Sequence, residues 1–248
     1  INNLKNCLSR DIHINSFVLE PLASAYAVLN NQQRNLGTVL IDIGGGTTDI
    51  IIYENNGVQY SGAIPKGGDV ITKDMALGIQ ELIGECLENS ELETLKHDYG
   101  SAKKECIDED KKIILNIENK DVSISEYEIA NMIQMRMIEI FEDVKRKINQ
   151  NNISNRPHGI VITGGGSQLR HIEELAREIF QQNIILGYPR NIYGSENITK
   201  NPRFSTAIGL IKFGIESFEI ENITGQLTIK STMKDLFKNL KKLYNRWY

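Results

Sequence analysis

Small apolar side chains recur at roughly helical spacing in residues 16–30 (SFVLEPLASAYAVLN), which predicts a buried helix; the polar NQQRNLG after it reads as a turn. Two β-branched runs, TVLIDI at 38–43 and TDIIIY at 48–53, flank a cluster of glycines. A third run at 58–64 follows Asn55-Asn56-Gly57, so a three-stranded meander is predicted. Asp69 is placed as the N-cap of a helix carrying Val70, Ile71, Met75, Ala76 and Leu77. Residues 79–106 are charged with a helical pattern, and 111–124 reads as a hairpin closed near Asn119. Ser125 and Glu128 have capping-box spacing and open a long amphipathic helix ending near Gln150. The run HGIVIT (158–163) predicts a short buried strand, followed by a helix at 168–182 and a strand at 183–187. Strands alternating with helices indicate an α/β layered domain, with 79–124 behaving as an insertion.

The last segment has a different character. Met233, Leu236, Phe237, Leu240, Leu243, Tyr244 and Trp247 fall on one helical face, with Lys234, Lys238, Lys241, Lys242 and Arg246 on the other. An apolar face tipped with Trp and Tyr opposite a cationic face suits a helix lying in a lipid headgroup layer. A helix docked on its own body, or in the groove of a helix-binding partner, is the alternative. Residues 233–248 carry five Lys/Arg and one Asp, so +4 of the total −4 sits here and −8 is left on the rest. Four net charges supply about 4 kcal/mol on an anionic leaflet, a marginal anchor that many linked copies would make firm. Residues 215–231 are read as a flexible tether of roughly 23 Å.

With 40% hydrophobic and 24% charged residues, 20 Gly and 5 Pro, the composition is that of a globular protein and excludes collagen-like and low-complexity classes. An acidic balance argues against nucleic acid as a partner. Cys7, Cys86 and Cys106 are widely spaced and match neither a disulfide framework nor a zinc pattern, so a reducing cytosol is expected.

Two glycine turns carry the chemistry. Asp42-Ile43-Gly44-Gly45-Gly46-Thr47-Thr48-Asp49 lies at a strand-turn-strand tip, where glycines are expected to take φ > 0 and bring N–H groups close to an anion. Thr47 and Thr48 add hydroxyls, and Asp42 can hold Mg²⁺ through water. No Lys and helix follow, as a Walker loop requires, and no GxGxxG opens a helix. The second turn, Gly164-Gly165-Gly166, sits between strand and helix, where backbone donors and the helix dipole converge. Lying about 120 residues apart, the two together can clamp one nucleotide, although each alone could be an ordinary glycine turn.

The phrases PLASAYAVL, LIDIGGGTTDI, IPKGGDVITKD, LETLKHDYG, GIVITGGGSQL, GYPRNI and STAIGLIKFG resemble, in order over 16–214, the FtsA family of bacterial actin-like division proteins. The resemblance implies an actin-like, ribonuclease-H-like ATPase fold and ATP with Mg²⁺ as ligands. It places Asp42 at Mg²⁺ and water, Gly44, Gly45, Gly46 and Thr47 at the β/γ-phosphates, and Thr48 beside them. Gly164, Gly165 and Gly166 would pass beneath the α-phosphate and ribose, Glu93 and Lys96 would approach the adenosine, and Glu20 would orient the attacking water. Glu20 could instead cap a helix, and Glu93 with Lys96 could be a surface ion pair. It also implies self-association, an FtsZ-like filament as partner, and residence on the cytoplasmic face of the membrane at the division site. The domains expected are 1–35 as the end of a first actin-like domain, 36–78 with 125–214 as the second, 79–124 inserted, 215–231 as linker and 232–248 as the membrane helix. The family's first phosphate loop and its extra interaction subdomain have no counterpart, so this looks like a C-terminal portion, at most a weak ATPase. The alternatives are an actin-fold small-molecule kinase and a fragment of a chaperone or pilus-assembly ATPase.

Overall fold

The computed structural model describes residues 14, 16–117, 120–150 and 159–223, the last six as backbone only. Helix α1 (Glu20–Val28) begins with Pro21 in its first turn, where a missing N–H costs nothing. Helix α2 (Asn31–Leu36) corrects the expected polar turn. Asn30 and Gln33 form a reciprocal capping box, and that pairing suffices for a short helix.

Strands β1 (Thr38–Ile43), β2 (Thr48–Glu54) and β3 (Gly57–Ile64) form the predicted meander. Helix α3 (Gly68–Ile83) follows, with Gly67 rather than Asp69 at the N-cap position, and then α4 (Asn89–Tyr99). The hairpin of β4 (Lys112–Ile117) and β5 (Lys120–Ser125) leads into α5 (Glu126–Gln150), all close to the expected bounds. Beyond β6 (Ile160–Thr163), a 3₁₀ turn at Gly165–Gln168 delays the helix expected from 168, so α6 covers Ile172–Phe180 before β7 (Ile184–Leu186). A short α7 (Glu196–Thr199) precedes α8 (Ser205–Ile223). Residues 215–223 are therefore helix, not the start of a coil; Ile208, Ile211 and Ile215 extend one apolar stripe of α8 at i, i+3 and i+7. The amphipathic segment 233–248 lies outside the described residues.

The main sheet has the order β3-β2-β1-β6-β7, with β1, β6 and β7 parallel. Being central, β1 is buried along its whole length. Val39, Ile41 and Ile43 point into the larger core, with Ile71 and Met75 of α3, Ile133 and Phe141 of α5 and Leu175 of α6. Leu40 points the other way, with Ile51 and Val161, against Ala27 of α1 and Ile208 of α8. Helices therefore cover both faces, as an α/β layered domain requires. On the α1/α8 side, the next residues along the three strands are Asp42, Asp49 and Thr163, in register. The face that is hydrocarbon along most of its length thus turns polar at one edge.

Candidate functional site

At that edge α1 and α8 bring hydroxyls to Asp42. Ser24 donates a short hydrogen bond to Oδ2, Thr206 donates to the same oxygen at 3.4 Å, and the two hydroxyls are 2.9 Å apart. Burial pushes the Asp42 carboxyl above its usual range, the charge of Glu20 adds to the rise, and these hydroxyl bonds oppose it. Beside it Asp49 is pushed up to about 6, by burial first and then by the charges of Glu20 and Asp42. Glu20 itself is exposed, in the first turn of α1. Three carboxylates therefore share one electrostatic neighbourhood at the mouth of the β1–β2 turn.

That turn is not built as its glycines suggest. Gly44, Gly45 and Gly46 all keep negative φ, so left-handed backbone does not explain them. Close approach explains Gly45. The Gly44 carbonyl accepts from Gly68 N and the Gly45 carbonyl from Asp69 N, both at 2.9 Å, so the turn's oxygens occupy the first amides of α3. A Cβ on Gly45 would lie 2.9 Å from Asp69 Oδ1, and one on Gly67 would lie 2.5 Å from both glycine carbonyls. With its carbonyls turned inward, the exposed tip has amides of Gly45, Gly46 and Thr47 that donate to no acceptor among the described residues. Thr47 Oγ1 donates to Asp49 at 3.3 Å. Thr48 departs from expectation: it is fully buried and its hydroxyl donates to the Lys66 carbonyl at 2.8 Å, latching β2 to the Lys66–Gly68 turn and leaving its side chain out of the cleft.

The second glycine turn packs directly on the end of β1. Gly164 has φ +87°, and a Cβ there would lie 2.2 Å from Asp42 Oδ1. One on Gly166 would meet Ile43 Cγ2 at 2.4 Å. Gly165 faces outward, with the Arg203 side chain near it. Thr163 and Ser205 share a 2.7 Å hydroxyl contact that ties β6 to the start of α8. The two turns are thus brought together, with Asp42 between them.

Glu93 and Lys96 lie on α4 and are not a free surface pair. Lys96 Nζ donates to Glu93 and to Thr72 Oγ1, each at 2.6 Å, and to the Gly68 carbonyl at 3.1 Å. Burial works to raise the Glu93 carboxyl, but the bonds from Lys96 and Thr72, with the charge of Arg203, outweigh it and hold the group low. Arg203, beside Gly165, is thus within electrostatic reach of Glu93. Sequence reasoning missed Arg203, Thr72, Ser24 and Thr206, which are read only once α3, α4 and α8 are in place. Asp49 stood within the first motif.

The arrangement offers backbone donors at an exposed tip, a carboxylate cluster beside them and a flanking wall of polar groups. A bare polyanion would be repelled by the carboxylates, whereas one carrying a divalent cation would be drawn in. No group of three or more acidic, His or Cys side chains among the described residues is arranged to hold a metal ion directly. Asp42 fits a water-shelled ion brought in on its ligand, the usual habit of Mg²⁺.

Solved structures share this fold. MreB5 of Spiroplasma citri, solved bound to ADP, matches with a TM-score of 0.63 and 21% identity over 84% of this chain and 61% of that one. The MamK double helical filament matches with a TM-score of 0.56 and 18% identity, over 79% and 58% of the two chains. Among relatives in sequence, the cell division protein FtsA of Pseudomonas aeruginosa is 32% identical over 216 residues, 86% of this chain and 51% of that protein. FtsA of Bacillus subtilis is 32% identical over 89% of this chain and 48% of its own length. The chain spans about half the length of the curated relatives it matches. The family model for cell division protein FtsA matches residues 39–209, across both glycine turns and into α8, and the chain, actin-like in fold, belongs to the FtsA family.

Proposed function

We propose that this chain supplies one side of an ATP–Mg²⁺ clamp in an actin-like cell-division protein that self-associates and tethers an FtsZ-like filament to the cytoplasmic face of the membrane. The observation that carries the nucleotide part is the meeting of the Gly44–Thr47 and Gly164–Gly166 turns at Asp42. In this reading the free amides of Gly45, Gly46 and Thr47 bind terminal phosphates, as backbone donors at an exposed glycine tip can. Asp42 holds the water shell of Mg²⁺, which would neutralise phosphate charge, while Ser24 and Thr206 hold the carboxylate still. Glu20, exposed on α1 and within electrostatic reach of Asp42, orients the attacking water. Glu93, Lys96 and Arg203 line the adenosine side.

Calorimetry of ATP–Mg²⁺ into the full chain tests the clamp. Weak binding, lost in Asp42→Asn and kept in Lys200→Ala, is expected; no binding at millimolar nucleotide refutes it. The membrane part rests on the pattern of Leu236, Phe237, Leu240, Leu243, Tyr244 and Trp247 against Lys238, Lys241, Lys242 and Arg246. Replacing Phe237 and Trp247 by Glu is expected to abolish sedimentation with anionic vesicles, and unchanged sedimentation would refute the anchor.

A further inference from the structure

Helix α4 touches the machinery of both glycine turns. On one side, Lys96 Nζ, in the last turn of the helix, donates to the Gly68 carbonyl at 3.1 Å, and Gly68 N in turn donates to the Gly44 carbonyl at 2.9 Å. On the other, the residues that close α4 are strapped to the segment that follows Gly166. Arg170 makes most of that strap. Its Nε donates to the Gly100 carbonyl at 3.1 Å and its Nη2 to the Tyr99 carbonyl, the closing carbonyls of α4, where a cation also meets the negative end of the helix dipole. The same Nη2 lies 2.5 Å from Oε1 of Glu126, whose side chain is 1% exposed and is also paired with Lys111 at 2.6 Å. The Arg170 carbonyl accepts from Ala102 N at 2.8 Å, and Ser101 Oγ is 2.9 Å from Nδ1 of His171. Gly100 is close enough that a Cβ there would lie 3.1 Å from the Leu169 side chain.

Within the two turns before that strap α4 carries Lys96 and Glu93. The spacing between their wall and the Gly164–Gly166 turn is therefore set by where Arg170 holds the end of the helix. The phosphate-side turn has anchors of its own in the β1–β2 ladder and the amides of Gly68 and Asp69, and α4 reaches it only through the Lys96 bond to the Gly68 carbonyl. Resting on the nucleotide reading above, we infer that Arg170, oriented by the buried Glu126, is a positioning residue that fixes the width of the base side of the cleft. A planar guanidinium reaching two carbonyls and a carboxylate at once suits this task, and an ammonium cannot copy it.

The test compares ATP–Mg²⁺ with inorganic tripolyphosphate–Mg²⁺ by calorimetry on the full chain, for wild type, Arg170→Met and Arg170→Lys, each checked for folding by thermal melt. Loss of about tenfold in ATP affinity in Arg170→Met, with tripolyphosphate unchanged, is expected. Arg170→Lys should move the same way by less, and serves alone if Arg170→Met does not fold. ATP affinity equal to wild type overturns the inference. A parallel loss for both ligands also overturns it, because that marks a general structural role. A wild-type chain that binds tripolyphosphate and not ATP removes the base-side reading itself, a failure visible before any variant is made.

Discussion

Helices α1 and α8 cross where Gly209 meets Ala23, and replacing Gly209 by Ala should cost several kcal/mol. A Cβ there would sit 1.7 Å from the Ala23 carbonyl oxygen and 2.4 Å from its carbon. Reaching ordinary contact requires the helices to part by about 1.5 Å. They are not free to part: Ser24 and Thr206 are linked at 2.9 Å on one side of the crossing, and Lys212 Nζ donates to the Tyr26 carbonyl at 2.8 Å on the other. Overpacking plus one or two strained hydrogen bonds gives about 2–4 kcal/mol. For a chain of this size that lowers the melting temperature by roughly 5–15 °C. Gly214 is the internal control, since it lies on the same helix with nothing within 4 Å of its would-be Cβ. Gly214→Ala should stabilise by about 0.5–1 kcal/mol through helix propensity alone. Urea denaturation of both variants decides the matter: equal signs for the two, or an undiminished midpoint for Gly209→Ala, would show that the crossing yields where the geometry says it cannot.

Asp49 gives a pH-dependent effect. Its folded pKa, about 6, is above the unfolded value of 3.8, so its protonated form stabilises the fold below about pH 4 and that stabilisation is lost as pH rises through 6. Asp49→Asn should therefore be more stable than wild type at pH 7, by about 1–3 kcal/mol, and the gain should vanish near pH 4 in urea titrations. Glu126 behaves oppositely: although burial opposes it, Lys111 and Arg170 hold its carboxyl low, so its contribution is present at neutral pH and lost on acidification. Glu126→Ala, which unpairs two partly exposed cations and opens a buried gap, should cost about 1–3 kcal/mol in chemical denaturation at pH 7.

Much of the fold was legible because β1 and β6 are β-branched runs that lead into glycine, because β2 is another such run, and because α5 carries one unbroken apolar stripe. The convergence of the two turns on Asp42 could be anticipated from the motifs. What could not be read was why the glycines are there. Three in a row at 44–46 suggest left-handed backbone, yet all keep negative φ, and at Gly45 the constraint is the approach of Asp69 in α3, more than twenty residues on. Arg170 gives no local signal at all: its side-chain partners lie 44 to 71 residues away, and only the packed chain brings them together. Helix α2 was hidden by polar composition, although Asn30 and Gln33 carried the capping signal.

The alternation along β1 also limits how the gene can drift in length. Losing one residue within 38–43 would rotate Asp42 into the aliphatic interior and present an isoleucine to the cleft. The opposite end of the hairpin pair, where Asn55 and Asn56 turn with φ of 52° and 61°, faces no such penalty. Insertions and deletions separating homologues should therefore accumulate there and spare the glycine-bearing tips, a bias that comparing gene lengths across lineages can reveal.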